Sequence, residues 1–444
     1  MLDLVQLDAL FASAILLITL SLFTNFSRRH HKRYPPGPRR LPLVGNFFDM
    51  PATEGWITYK KWSDESGCDV VHADVLGSHV VILNSAKAAN ELLEKRSSVY
   101  SDRPRFTAFH VHVFLPYGDR WRRLRRAFNY HFDAKTSKEY RPLEMQAVQL
   151  LLRNLLSGPD NFSQHLRHWL PGASFKREAQ KWLPVAESMM ETPHAEVKAA
   201  LAAGTATPSV TASMISQLGE GPTEDDIWVT KAVPGAMYLA GSDTTVAALS
   251  TFFLAMTLYP EVQRKAQAEV DSVTCGSRLP DFSDFDELPY VDAVLNEVLR
   301  WHPVTPLGVA HRVMENDVYE GHLIPAGSTV IPNVWAIMRD PVTFPEPNRF
   351  YPERWLVKDP PPAPEAAFGY GRRICQGRFM ARENTWAAIV NILATFDISP
   401  VKDNPPQEVY TSGIISYPET LVAYIHPRSD TAAALVRATG IESA

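Results

Sequence analysis

Three cysteines in 444 residues, Cys68, Cys275 and Cys375, are too few and too odd a number for a disulfide framework. The main body is therefore expected to face a reducing compartment. Charge excess is missing too. A net charge of −5 with 45% hydrophobic residues excludes a disordered or nucleic-acid-binding chain. There is no internal repeat, no long flexible linker past the N-terminus, and no glycine-rich dinucleotide fingerprint or flavin domain. A chain of this kind that used reducing equivalents would take them from a separate protein. The simplest reading is one large catalytic unit.

One long hydrophobic run is present. Ala9 to Ser27 gives 19 residues without a charge, as a helix roughly 28 Å long, close to the thickness of a bilayer core. Asp3 and Asp8 precede it, and Arg28, Arg29, Lys32 and Arg33 follow, which places the C-terminal side in the cytoplasm. Positive charge after the run, not before it, argues against a cleaved signal peptide. Residues 1–27 are thus expected to be a membrane anchor helix and 28–38 a basic, proline-rich hinge ending in Tyr34-Pro35-Pro36-Gly37-Pro38. The catalytic domain is then 39–430 and a tail 431–444. In this orientation the sequons at Asn25 and Asn161 stay unused.

Apolar spacing predicts a hairpin over 70–83 breaking at Gly77-Ser78, then a helix at about 86–96. Further helices are predicted at 119–132, 136–156, 227–258 and 260–273, and from Tyr290 to Trp301 with a stop at Pro303. Short strands are expected over 304–332, irregular coil from Asp340 to Pro364, and a last helix after Gly377. The fold class is mainly α with a small β portion.

Chemistry concentrates in Phe368-Gly369-Tyr370-Gly371-Arg372-Arg373-Ile374-Cys375-Gln376-Gly377. Such a loop can present a thiolate to a metal. Gly371 and Gly377 allow a sharp turn and close approach to a flat ligand. The helix that follows puts its positive end near the sulfur, and Arg373 is placed to pair with an anionic group of the same ligand. A structural cysteine in a glycine-rich turn is the duller alternative. Within the long helix, Ala240-Gly241-Ser242-Asp243-Thr244-Thr245 sets an acid and an alcohol in an apolar run, an expensive arrangement for packing alone. Glu297 and Arg300 share a helix face, and Trp121 and Arg125 stand one turn apart.

Together these motifs resemble the cytochrome P-450 family of haem-thiolate monooxygenases, from Pro35 to His426. The likeness is to fungal microsomal members of the O-methylsterigmatocystin oxidoreductase type. It implies the cytochrome P-450 fold, haem b ligated by Cys375, and Asp243 and Thr244 relaying protons to dioxygen. It also implies propionates held by Trp121, Arg125, Arg312 and Arg373, and a structural cluster of Glu297, Arg300 and Arg354. The partners implied are an NADPH-dependent cytochrome P-450 reductase, a membrane and an apolar small-molecule substrate, a secondary metabolite or xenobiotic, with no nucleic acid. Its location is implied to be the endoplasmic reticulum membrane, single-pass, with a cytoplasmic catalytic domain. Arg122, Arg126, Arg378 and Arg382 offer a basic face for an acidic donor or, equally, a solvated helix face.

Two stretches depart from the family pattern. The span between Arg105 and Pro116 is short. After Trp169, Leu170-Pro171-Gly172-Ala173-Ser174-Phe175-Lys176-Arg177 resembles a point several tens of residues further along. Part of the helix bundle and of the pocket roof is thus expected to be missing. A truncated, non-catalytic paralogue or splice product is the alternative; a haem-thiolate isomerase or dehydratase is disfavoured by Asp243 and Thr244.

Overall fold

A computed structural model describes residues 34–104, 115–157 and 175–440, with the backbone alone for 175–187. The run 9–27, the basic residues 28–33, both sequons, residues 105–114 of the short Arg105–Pro116 span and the Trp169–Leu170 junction lie outside the described residues. The chain divides into two compact units, one of residues up to Pro104 with Val309–Ile337, the other of Arg105–Gly308 with Met338–Ala444.

The first unit is built on a four-stranded sheet. After helix α1 (Gly55–Ser66), β1 (Val70–Val75) and β2 (Ser78–Leu83) pair antiparallel, and a helix, α2 (Ala86–Ala89), runs on into a wider turn, Asn90–Lys95. The hairpin turns on Leu76 and Gly77, one residue earlier than expected, both with positive φ (51° and 83°). That is the two-residue turn whose twist matches the strands. The strands β3 (His311–Arg312), β4 (Asp317–Tyr319), β5 (His322–Ile324) and β6 (Thr329–Pro332) follow much later. The sheet order is β1-β2-β6-β3, with β6 parallel to β2, while β4 and β5 form their own hairpin. The proline-rich segment lies along β1: the His72 amide donates to the Pro36 carbonyl at 2.8 Å. A Cβ at Gly37 would stand 1.9 Å from the His72 carbonyl oxygen, so only glycine fits there.

The second unit is helical. Its helices are α3 (Asp119–Phe132), α4 (Arg141–Ser157), α5 (Phe175–Ala203), α6 (Val210–Ser216), α7 (Glu224–Leu258), α8 (Pro260–Thr274), α9 (Pro289–Trp301) and α10 (Arg378–Thr395). A hairpin of β7 (Phe396–Pro400) and β8 (Ala423–Pro427) and a helix, α11 (Asp430–Ala438), close the chain. Thr223 and Asp226 form a reciprocal cap at the start of α7. Pro260 and Pro289 open their helices at positions where no amide partner is needed. The core joins Leu152 and Leu155 of α4, Phe252 and Phe253 of α7, Val294 and Trp301 of α9, and Trp386, Ile389 and Leu393 of α10. Cutting one of these aromatics to alanine would cost about 3–5 kcal/mol.

Two expectations change here. Residues read as the start of a tail form α11, capped by Ser429, because Val436 has a place in the core. The helix after Gly377, expected to be the last, is α10, and β7, β8 and α11 follow it.

Glu144 sits badly in this packing. It is 3% exposed, and neither carboxylate oxygen has a hydrogen-bond partner among the described residues. Burial, and then Glu383, which is itself paired with Arg141 at 2.8 Å, push its pKa up to about 8. The folded chain therefore keeps a proton that the unfolded chain releases near its ordinary value of 4.5. Its contribution to stability is whole below that pH and is lost as pH rises towards 8. Glu144→Gln should stabilise the protein at pH 7 by on the order of 1–2 kcal/mol, discounted for screening. Thermal melts between pH 5 and 8 check this: the parent should lose stability more steeply than the variant.

Candidate functional site

Coil, not helix, leads into the cysteine loop, and one carboxylate organises it. Glu297 and Arg300 of α9 are fully buried and Arg354 nearly so. Glu297 accepts from Arg300 Nε and Nη2 at 2.9 and 2.8 Å, from Arg354 Nε at 3.2 Å, from the Tyr351 amide at 2.8 Å and from Trp355 Nε1 at 3.1 Å. The two arginines donate their other hydrogens to carbonyls of Met338, Pro345, Glu346, Pro347 and Arg349. These carbonyls have no strand or helix to pair with, so the cluster supplies what secondary structure does elsewhere. Trp355 earns its place here: its indole N–H is a donor that phenylalanine lacks.

Beyond this coil the chain turns into the loop on Gly369 and Gly371, at φ 84° and 57°. The Cys375 amide is fixed to the Phe368 carbonyl at 2.8 Å. Gly377 does not need positive φ (−82°); it caps α10, and its amide donates to the Cys375 sulfur. Burial pushes the Cys375 thiol up, while the Gly377 amide, Arg125 and Arg378 pull it down. Yet Cys375 is exposed. A side chain crowded by protein and yet open to solvent faces a recess.

From α3, Trp121 is buried with the Arg373 guanidinium 4.3 Å from its ring. Arg373, 9% exposed, donates to the Leu115 carbonyl at 2.8 Å. Arg125 donates to the Ile374 carbonyl at 2.7 Å, and burial lowers its pKa to about 10 against the pull of Cys375. Trp121, Arg125, Arg373 and Cys375 thus converge in one place.

Helix α7 carries the acid and alcohol. It is long and apolar enough to cross a membrane, but more than half of that window is buried inside the protein, as in a core helix. Val229–Ala236 and Ala247–Thr257 are mostly buried, while the stretch between them is open, with Ala240, Gly241 and Ser242 exposed. Among the described residues, a Cβ added at Gly241 or at Gly377 would meet nothing within 4 Å. Such a gap in the most apolar helix, a half-enclosed thiol and interior arginines suit a flat, apolar, metal-bearing group with anionic arms. Haem is such a group. Asp243 is half-buried, its carbonyl held by the Tyr417 hydroxyl at 3.2 Å; Thr244 returns its hydroxyl to the Ala240 carbonyl at 2.6 Å.

The comparisons agree with this geometry. The cytochrome P450 family model matches residues 35–161 and 158–423. The chain belongs to the cytochrome P450 family. It is 37% identical to cytochrome P450 monooxygenase 208 of Postia placenta over 96% of each chain. Against cytochrome P450 monooxygenase ple1 of Rhodocybe pseudopiperita it is 35% identical, covering 93% of this chain and 92% of the relative. A tryptamine 4-monooxygenase of Psilocybe cyanescens is 33% identical, over 94% and 98%. In fold it is similar to a zebra fish cytochrome P450 solved with abiraterone, with a TM-score of 0.67 and 22% identity over 84% of this chain and 100% of that one. The chain is therefore an oxygen-incorporating oxidoreductase of a family that carries haem, takes electrons from a redox partner and acts on small molecules.

Arg312 lies in the first unit, on β3, paired with Asp102 at 3.1 Å. The basic face is thinner than the sequence suggests, because Arg382 is bound to Asp292 and Asn296 and Arg122 to Asp119. A surface recess of about 600 Å³ lined by Asp271, Cys275, Arg278 and Arg428 lies by Ala394 and Thr395, at the end of α10 remote from Cys375, and takes no part in the site.

Arg300→Ala strands a buried carboxylate and should cost about 3–5 kcal/mol; Trp355→Phe should cost about 1.5 kcal/mol. Urea unfolding read beside haem per polypeptide checks both: the alanine variant should purify without haem, the phenylalanine variant with it.

Proposed function

We propose that the chain is a membrane-anchored haem-thiolate monooxygenase that inserts one atom of dioxygen into an apolar small molecule, a secondary metabolite or xenobiotic, and reduces the other to water. The observation that carries this is Cys375, half-enclosed, open to a recess and hydrogen-bonded at sulfur by the Gly377 amide. Bound haem b would supply the activation of dioxygen. Cys375 would hold the iron, its negative charge steadied by the Gly377 amide, Arg125 and Arg378. Trp121, Arg125 and Arg373 would hold the propionates. Arg312 carries over from the resemblance alone, since its partner here is Asp102. Asp243 and Thr244, on the open stretch of α7, would move protons towards the recess, Thr244 by turning its hydroxyl away from the Ala240 carbonyl. Electrons would come from NADPH through a separate reductase docked on the protein. Residues 1–27 would anchor the chain in the endoplasmic reticulum membrane with the catalytic part in the cytoplasm.

A second reading has one observation behind it. The family model matches in two stretches that meet at residues 158–161, and the alignment to the Rhodocybe pseudopiperita relative runs over 485 positions, more than this chain's 444. This favours an internal loss near residues 158–170, and with it a truncated, non-catalytic form. Carbon monoxide separates the two. The full chain, reduced and exposed to the gas, should show the red-shifted Soret band of thiolate-ligated ferrous haem. No band, or one at the unshifted position, would favour the truncated form.

A further inference from the structure

Both residues that flank Cys375 are tied to one residue of α3. The Arg125 guanidinium donates to the carbonyl of Ile374, just before the cysteine, at 2.7 Å. In return the side-chain amide of Gln376, just after it, donates to the main-chain carbonyl of Arg125 at 3.1 Å. The same amide stands 3.5 Å from the Asn129 side-chain oxygen, at the limit of a hydrogen bond. Arg378 holds the Cys375 carbonyl at 3.1 Å, but it lies on the same loop-to-helix segment and cannot fix that segment against a neighbour. The anchor is firm: Trp121, Leu124 and Phe128, around Arg125 on α3, are buried. The loop needs such an anchor. It turns on two glycines at positive φ, and among the described residues nothing lies within 4 Å of a Cβ placed at Gly377.

We propose that Gln376 is a positioning residue for Cys375: with Arg125 it closes a two-point tie that fixes the direction in which the sulfur faces the recess. This rests on the haem-thiolate reading above. With both ties made, the cysteine peptide cannot rotate about either neighbour. With the Gln376 tie lost, the hold from α3 on the C-terminal side of the cysteine is gone, while the Ile374 tie and the bond of the Cys375 amide to the Phe368 carbonyl remain. A ligand held to within about half an ångström then loses its aim, and the thiolate more readily lets go of the metal or takes up a proton. The side chain required is one that reaches the Arg125 carbonyl and donates to it; a carboxylate or a thioether of the same length reaches and cannot donate.

The test uses the full-length, haem-loaded chain with Gln376→Met, which keeps the length and loses the donor, and Gln376→Lys, which keeps a donor. Three quantities are read: haem per polypeptide, the melting temperature of the helical signal, and the rate at which the red-shifted ferrous carbon monoxide band converts to the unshifted one in mild urea. The methionine variant should convert about fivefold faster than the parent, the factor of one ordinary neutral hydrogen bond, at parental haem content and melting temperature. The lysine variant should come back to within about twofold of the parent. Conversion of the methionine variant at the parental rate overturns the role. So does fast conversion of both variants in step with a lowered melting temperature, which is the signature of a merely structural residue. A parent chain without the red-shifted band overturns the haem-thiolate reading and this role with it, whereas a parent with the band and an unaffected methionine variant overturns the role alone.

Discussion

A buried carboxylate with five donors is the constraint on which the cysteine loop depends. Taking Glu297 out of water is costly, and so is burying Arg300 and Arg354 beside it. The arrangement is tolerable because every charge has a geometrically good partner and because the arginines spend their remaining hydrogens on main-chain carbonyls of the coil. The proline-rich stretch from Asp340 to Pro364 forms only a short 3-10 turn, Pro352–Trp355, and can build no ladder, so these bonds are what give it one path. That path ends at Phe368, whose carbonyl takes the Cys375 amide.

The second governing feature is a core left incomplete in one place. Helix α7 is packed at both ends and open between them, around Gly241. Apolar helix surface of this kind is normally covered. In the same unit gather the thiol of Cys375, Arg125, Arg373 and Trp121, the set to which the proposed function gives a haem. The thiol's position at the start of α10 matters as much as its identity, since the helix's first free amide is the one that meets the sulfur.

Much of this was legible in the sequence, for identifiable reasons. The helices α3, α7, α8, α9 and α10 follow from apolar spacing, with Pro260 marking the α7–α8 boundary and Pro303 the end of α9, and the β1–β2 hairpin from alternation. The Glu297–Arg300–Arg354 set could be named because its members sit in short motifs. What could not be read was set by contacts between distant segments. Nothing in the sequence links Trp355 to Glu297, and only the fold brings its indole there. Gln376 carried no signal, because its partner is a main-chain carbonyl on another helix. Gly377 was credited with a turn that Gly369 and Gly371 make. Helix α11 was read as tail because nine residues with four alanines and only Leu435 and Val436 as larger apolar side chains announce nothing until the core offers Val436 a place.

The claim that the carboxylate cluster orders the loop can be measured by amide hydrogen exchange on the haem-loaded chain carrying Glu297→Gln. The account predicts that the amides of Tyr351 and Cys375 lose protection together, while the β1–β2 ladder of the other unit stays as in the parent. Rapid exchange at Tyr351 with Cys375 still fully protected would contradict it, for the loop would then hold its shape without the carboxylate.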